Sequence, residues 1–198
     1  MTDAPGNASP PPPMVRPWRR TGPARSLVRD RWIHLRAESW ENGAGAALDP
    51  WYMLDWPDWV HVLALTADDH VVMVRQWRPG LGAASLELPG GAMDPGEADP
   101  VATGRRELLE ETGYHAPALR PLPVLAPDPA HMSNRVRFFL ALGAERVAEP
   151  RPDATEEIAV ELHPVVGLLE ALGSGAVSNA AHVGGILLGL RAAGRIAF

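Results

Sequence analysis

The 198-residue chain contains no cysteine and no lysine, and it has no long apolar run. Without cysteine there is no disulfide framework, no thiolate zinc site and no cysteine nucleophile. Without lysine, Schiff-base and lysine general-base chemistry are excluded. All eighteen basic side chains are therefore arginines, a residue suited to bidentate contact with phosphate. No stretch of 18 or more apolar residues occurs, so no membrane-spanning helix is expected. No basic segment followed by an apolar run marks a secretory signal, which makes the cytoplasm the expected compartment. Twenty-four acidic residues give a net charge of -6, the reverse of the balance that a duplex-binding protein carries. At 46% apolar and 21% charged residues, the composition is that of a globular protein rather than a disordered chain or a coiled coil.

Proline is concentrated near the start, with four in a row at residues 10–13 and Pro5, Pro17 and Pro23 around them. Such a segment buries no core, so residues 1–24 are expected to form an extended, mobile tail, with ordered structure from near Ser26. Residues 25–198 then read as a single domain. Strands are expected at 32–37, 59–66, 71–78, 86–88, 135–142 and 158–163, the second and third joined as a hairpin at Ala67-Asp68-Asp69-His70. Helices are expected at 165–172 and 180–193. Strands with one helix inserted and helices at the end predict a mixed α/β fold, a mixed sheet with helices packed on it.

The inserted helix carries the chemistry. Asp99 followed by Pro100 is an N-cap and first-turn signature, and Gly113 supplies a C-terminal stop. The helix therefore spans about 100–112. On a wheel of about 100° per residue, Glu107, Glu110 and Glu111 share one sector, flanked by Thr103 and Gly104. Val101, Ala102, Leu108 and Leu109 lie opposite and are expected to pack on the sheet. Three crowded carboxylates are either a solvated acidic face or a cation site. Two features favour the cation: no i,i+4 basic partner is read on that face, and the small neighbours leave an open approach, with Gly104 giving a substrate clearance.

Gly91, Glu97 and the run Arg106-Glu107-Leu108-Leu109-Glu110-Glu111-Thr112-Gly113-Tyr114 resemble the signature of the Nudix hydrolase superfamily. One departure is an eighth residue, where the signature has seven, between Glu97 and Arg106. The resemblance implies a Nudix-type α/β/α sandwich with a catalytic loop-helix-loop. It also implies that Glu107 and Glu111 are the principal Mg²⁺ ligands, with Mn²⁺ as a substitute. Glu110 would assist, Gly90 would offer its backbone carbonyl, and Arg106, tied to Glu97, would orient the glutamates.

The segments Val74-Arg75-Gln76-Trp77-Arg78-Pro79-Gly80 and Leu86-Glu87-Leu88-Pro89-Gly90-Gly91 resemble the branch containing ADP-ribose pyrophosphatases. This implies substrate contacts from Arg78 and Glu87. The loop Ala126 to Arg135 matches one in that branch, with His131 as a substrate or acid candidate, although Ala130 and Asn134 stand where the branch often has Gly and Glu. Glu156 matches the acidic loop that supplies a catalytic base or a further metal ligand; as the base it is the first candidate, with Glu157 and Asp153 as fallbacks. Trp51, Trp56, Trp59 and Trp77 are candidates for stacking an adenine, for the core or for a subunit interface.

By resemblance, then, the expected activity is Mg²⁺-dependent hydrolysis of a nucleoside diphosphate linked to another group. ADP-ribose giving AMP and ribose 5-phosphate is the leading case, and a nucleotide sugar or NADH-type dinucleotide is the alternative. A catalytically silent nucleotide-binding sensor is the alternative of another class. The expected partners are a small nucleotide substrate and a second copy of the chain, with residues 32–59 and the N-terminal strands within 26–56 in the dimer contact. Neither duplex nucleic acid nor a membrane is expected.

Overall fold

The computed structural model describes residues 14–94 and 96–197. The chain divides into two compact units, Met1–Leu54 and Asp55–Phe198.

The first unit is a four-stranded sheet of β1 (Arg19–Arg20), β2 (Arg25–Arg29), β3 (His34–Glu41) and β4 (Ala47–Asp55), in which β1, β2 and β4 all pair with β3. Its organising group is Glu38, 1% exposed on β3. A carboxylate so buried needs cationic and hydrogen-bond partners. It has Arg20 at 2.7 Å, the Trp40 indole N–H at 2.9 Å, and Arg36. Paired structure thus begins at Arg19, ahead of the start expected near Ser26, because Arg19 and Arg20 are tied to Glu41 and Glu38. The proline run at 10–13 lies outside the described residues. Strand β4 was not expected, since Pro50 within it argues against a strand.

The second unit contains the remaining elements. These are β5 (Trp59–Leu65), β6 (His70–Arg78), β7 (Ala83–Glu87), β8 (Gly90–Ala92), α1 (Pro100–Thr112), β9 (Tyr114–His115), β10 (Leu119–Pro121), β11 (Val136–Leu142), β12 (Glu145–Arg146), β13 (Ile158–Pro164), α2 (Val165–Ser174) and α3 (Ala180–Ala192). Its main sheet has the order β10-β11-β5-β6-β13, with β7 on β6 and β8 on β5. The β5–β11 pair is parallel and the other pairs are antiparallel, so the sheet is mixed.

Strand periodicity divides the core into two layers. Val60, Val62 and Ala64 of β5 join Leu108 of α1 on one face. Leu63 and Leu65 join Leu168 of α2 and Ile186 and Leu190 of α3 on the other. The result is the α/β/α sandwich that the sequence led one to expect. Among the described residues no helix is long and apolar enough to cross a membrane.

Helix α1 starts and stops where its caps dictate. The Asp99 side chain accepts from the Val101 N–H at 2.9 Å, and Gly113, left-handed at φ 73°, returns its N–H to the Leu109 carbonyl at 2.8 Å. Its buried face differs from the expected one. Thr103, Gly104, Leu108, Glu111 and Thr112 are buried, whereas Ala102 and Leu109 face outward. A Cβ on Gly104 would stand 3.2 Å and 3.3 Å from Val60 and Val62 methyls. Gly104 therefore lets α1 approach β5 closely, and clearance for a substrate is not its role.

Candidate active site

Strand β8 lies beside the acidic side of α1. A Cβ on Gly90 would stand 2.0 Å from the Val60 carbonyl oxygen, so only glycine allows this approach. The Gly90 N–H thereby donates to Glu111 Oε2 at 2.7 Å. A Cβ on Gly91 would stand 2.4 Å from Glu107 Oε1, which places the second carboxylate against the next residue of the same strand.

The two carboxylates sit in a setting that penalises their charge. Burial drives Glu111, 3% exposed, up to about 8; the Gly90 N–H opposes the rise, and the Glu107 and Glu156 charges add to it. Burial also raises Glu107 to about 6, against the pull of Arg106. Arg106 is the local counter-charge, 2.9 Å from both Glu107 and Glu110 and 3.9 Å from Glu97. The Arg106–Glu110 pair is an i,i+4 partner that the sequence reading had missed. Glu97 does come toward Arg106 despite the extra residue between them, held by the Asp94 N–H at 3.1 Å. Among the described residues no arginine forms an ion pair with Glu111, and the charge of Arg78 acts to lower its proton affinity.

Arg78 and Glu87 stand on the paired strands β6 and β7. The guanidinium makes a two-pronged contact, Nε to Oε1 at 3.0 Å and Nη2 to Oε2 at 2.6 Å. Glu87 is 1% exposed, so its carboxylate is committed to holding Arg78. Burial raises the Glu87 carboxyl, but the Arg78 hydrogen bonds and charge outweigh it and leave a net lowering.

Behind Glu87 lies His182 of α3, which sequence reasoning missed. Its Nδ1 accepts the Leu88 N–H at 3.0 Å, leaving Nε2 as the N–H that faces Glu87 Oε2 at 3.5 Å. Burial lowers His182 to about 3 and holds His61, its ring neighbour at 4.3 Å, well below the ordinary histidine range. No local signal could have found this pair, because residues 88 and 182 meet only through the sheet and α3.

Glu156 is exposed on the loop before β13, where its Oε2 accepts the Asp153 N–H at 3.1 Å. Its charge acts on Glu107, Glu111 and Arg78, so the fold brings it into their field. His131 is exposed on the turn closed by the Asp128 carbonyl. Its neighbours Met132 and Asn134, rather than His131 itself, line a cavity of about 320 Å³ bordered by Arg78. Among the four tryptophans, Trp56 and Trp59 line that cavity, while Trp77 is 62% exposed and Trp51 packs edge-on to Trp18 in the first unit.

No group of three or more His, Asp or Glu side chains that could hold a metal is found among the described residues. Two carboxylates nevertheless fit a hard divalent cation, since Mg²⁺ is usually held by one or two with water and phosphate oxygens completing its shell. Glu107 and Glu111 offer such oxygens, and burial, with the like charge of neighbouring carboxylates, raises the proton affinity of both.

The α/β/α sandwich thus sets helix-borne glutamates against a Gly-Gly strand, within the field of an arginine braced by Glu87. The NUDIX domain model matches residues 55–178, more than half of the chain, and the chain belongs to the Nudix family. Curated relatives include the ADP-ribose pyrophosphatase of Bacillus subtilis, 34% identical over 119 residues, covering 58% of this chain and 64% of the relative. The methanol dehydrogenase activator of Bacillus methanolicus is 36% identical over 90 residues, 46% of this chain and 48% of the relative. The chain thus spans about half to just under two thirds of these relatives' length. Among solved structures, an ADP compounds hydrolase superposes with a TM-score of 0.76 at 21% identity, covering 93% of this chain and 100% of that one.

Proposed function

We infer that the protein is a divalent-metal-dependent pyrophosphohydrolase. Its substrate is a nucleoside diphosphate joined to another group, with ADP-ribose, split to AMP and ribose 5-phosphate, as the leading case. The observation that carries this reading is the desolvated Glu107–Glu111 pair beside Gly90 and Gly91, within the field of an arginine that Glu87 holds by two hydrogen bonds. Glu107 and Glu111 would hold Mg²⁺ or Mn²⁺, with Glu110 and the Gly90 carbonyl assisting. When bound, such an ion neutralises phosphate charge and lowers the pKa of water.

The chain's own side chains account for the rest. Arg78 presents its guanidinium to a phosphate, and Glu87 prevents it from swinging away. Arg106 keeps Glu107 and Glu110 together against their mutual repulsion, with Glu97 behind it. Glu156 receives the proton of the attacking water from its exposed loop, a role that needs a carboxylate in the field of the reacting groups. Curated relatives named as ADP-ribose pyrophosphatases in Bacillus subtilis and Mycobacterium tuberculosis and as an ADP compounds hydrolase in Escherichia coli support the choice of substrate. The first unit, with exposed Leu27, Val28, Trp32 and Tyr52, is proposed as the dimer contact.

The test is a substrate panel of ADP-ribose, a GDP-sugar, NADH and a dinucleoside polyphosphate, run with Mg²⁺, with Mn²⁺ and with EDTA, the products separated by chromatography. AMP from ADP-ribose only in the presence of metal is the expected result. Preference for another member moves the specificity to a nucleotide sugar or dinucleotide. Binding without cleavage of any compound would replace the enzyme with a nucleotide sensor.

A further inference from the structure

Helix α3 lays one buried stripe on the sheet, formed by His182, Gly185, Ile186, Gly189 and Leu190 at the i, i+3, i+4 spacing of a single helix face. His182 is the one polar side chain in that stripe. The two glycines bring the helix in closely. A Cβ on Gly185 would run into the Phe138 ring, and one on Gly189 would stand 2.8 Å from Leu63 Cδ1. That approach carries the His182 ring, 2% exposed, to the segment joining β7 to β8.

The segment runs from Glu87 to Gly90. Glu87 grips Arg78 at one end, and the Gly90 N–H donates to Glu111 at the other. Leu88 and Pro89 between them belong to no strand, so their backbone groups need other partners. Pro89 has no N–H, and its carbonyl accepts the Val62 N–H at 2.9 Å. The Leu88 N–H goes to His182 Nδ1 at 3.0 Å. The backbone of Leu88 also partners the His61 ring of β5, whose centre lies 4.3 Å from that of His182.

Because Nδ1 accepts, the neutral imidazole carries its hydrogen on Nε2. That N–H faces Glu87 Oε2 at 3.5 Å, the same oxygen that takes Arg78 Nη2 at 2.6 Å. At 3.5 Å the contact is charge to dipole rather than a full hydrogen bond. Both side chains are 2% exposed, and the low-dielectric surroundings strengthen it. A histidine that only filled space would be replaceable by an apolar side chain. Here that replacement would leave the Leu88 N–H unpaired and strip the dipole from the carboxylate that holds Arg78.

We propose that His182 is a positioning residue for the hydrolysis, fixing Glu87 so that Glu87 holds Arg78 toward the phosphate. The proposal rests on the nucleotide-hydrolase reading, which gives Arg78 its phosphate. It assigns a part in the reaction to α3, a helix remote in sequence from the glutamates.

The experiment is a double-mutant cycle in the full chain, His182→Leu against Glu87→Gln, read as kcat/KM for ADP-ribose with Mg²⁺ at a temperature where each variant is folded. His182→Leu should lower kcat/KM about tenfold in the wild-type background and less than about twofold once Glu87 is glutamine, because the route through Glu87 is then cut. His182→Asn keeps an acceptor near the Nδ1 position and loses the N–H that faces Glu87. It should cost about threefold in the wild-type background and nothing beside Glu87→Gln, and it carries the cycle if His182→Leu does not fold. Leu190→Ala, on the same stripe, shows what a merely structural role does: a lower melting temperature with kcat/KM within about twofold of the wild type. A second readout needs no turnover. The Arg78 Nε–H resonance, identified by its loss in Arg78→Ala, should exchange with water at least about fivefold faster in the His182 variants and at the wild-type rate in Leu190→Ala. Equal fold-losses in the two backgrounds overturn the proposal, as does wild-type kcat/KM in folded His182→Leu. Faster Arg78 exchange without ADP-ribose hydrolysis sinks the reaction and spares the positioning role. Hydrolysis with unchanged Arg78 exchange does the reverse.

Discussion

Replacing Glu111 by glutamine should abolish turnover and, in the metal-free protein, raise stability. Glu111 is 3% exposed, and burial lifts its carboxyl from an ordinary 4.5 to about 8. Between those two values the folded chain keeps a proton that the unfolded chain has released, so stability falls as pH rises from 4.5 toward 8. At about 1.4 kcal/mol per pH unit, the carboxyl costs the folded state roughly 3 kcal/mol at pH 7. By pH 9 the cost approaches about 5 kcal/mol. Glutamine retains an oxygen that can accept the Gly90 N–H and removes the ionisation. Glu111→Gln should therefore melt several degrees above the wild type at pH 7 in EDTA, at about 2–4 °C per kcal/mol for a chain of this size. The gap should widen toward pH 9 and close near pH 5. Adding Mg²⁺ should stabilise the wild type and leave the variant little changed. Thermal melts over pH 5–9, with EDTA and with Mg²⁺, supply the measurement. A variant no more stable than the wild type at pH 9 in EDTA would refute the account of Glu111 as a desolvated, under-compensated carboxylate.

Three further outcomes follow from the packing. Gly91→Ala should push the Glu107 carboxylate aside, because the new Cβ would lie 2.4 Å from its Oε1; activity is expected to fall at least a hundredfold with a melting temperature close to that of the wild type, and retained activity would count against Glu107. Gly104→Ala should leave turnover intact, since Gly104 packs on Val60 and Val62 and its helix-propensity gain of about 1 kcal/mol offsets the tight contacts; a loss of activity without a loss of stability would restore the substrate-clearance role. His182 is held neutral with its folded value lowered to about 3, so its contribution is present above pH 6.5 and lost as pH falls toward 3, at about 1.4 kcal/mol per unit. Because Glu111 titrates with the opposite sign over part of this range, the difference between wild type and His182→Gln isolates the histidine: denaturant unfolding between pH 6.5 and 4 should show the wild type losing stability relative to the variant as the pH falls, and parallel curves would contradict a buried neutral imidazole.

Much of the architecture was legible in local sequence. Asp99, Pro100 and Gly113 bound α1 by capping chemistry that operates within four residues. The apolar runs of β5, β6 and β11 are read directly as strands because each is buried in the sheet. The spacing of Arg106, Glu107, Glu110 and Glu111 already placed four charges on neighbouring turns of one helix. The first unit was less legible: β1 owes its place to Arg19 and Arg20 reaching carboxylates about twenty residues away, and Pro50 disguised β4.

What the tertiary structure alone decided is which charges are exposed and which are confined. On a helical wheel Glu107, Glu110 and Glu111 are alike, yet side-chain exposures of 13% and 45% separate Glu107 from Glu110, and Gly90 from another strand closes over Glu111. Arg78 and Glu87 appeared in the sequence as two independent substrate contacts, but hairpin pairing turns one into the brace of the other. The line from Leu88 through His182 to Glu87 exists only because α3 packs on the sheet formed by β5 and its neighbours. Side-chain chemistry and short-range caps are carried by neighbouring residues and can be read from the chain. Desolvation and long-range pairing depend on distance in space, and the packed sheet sets that distance.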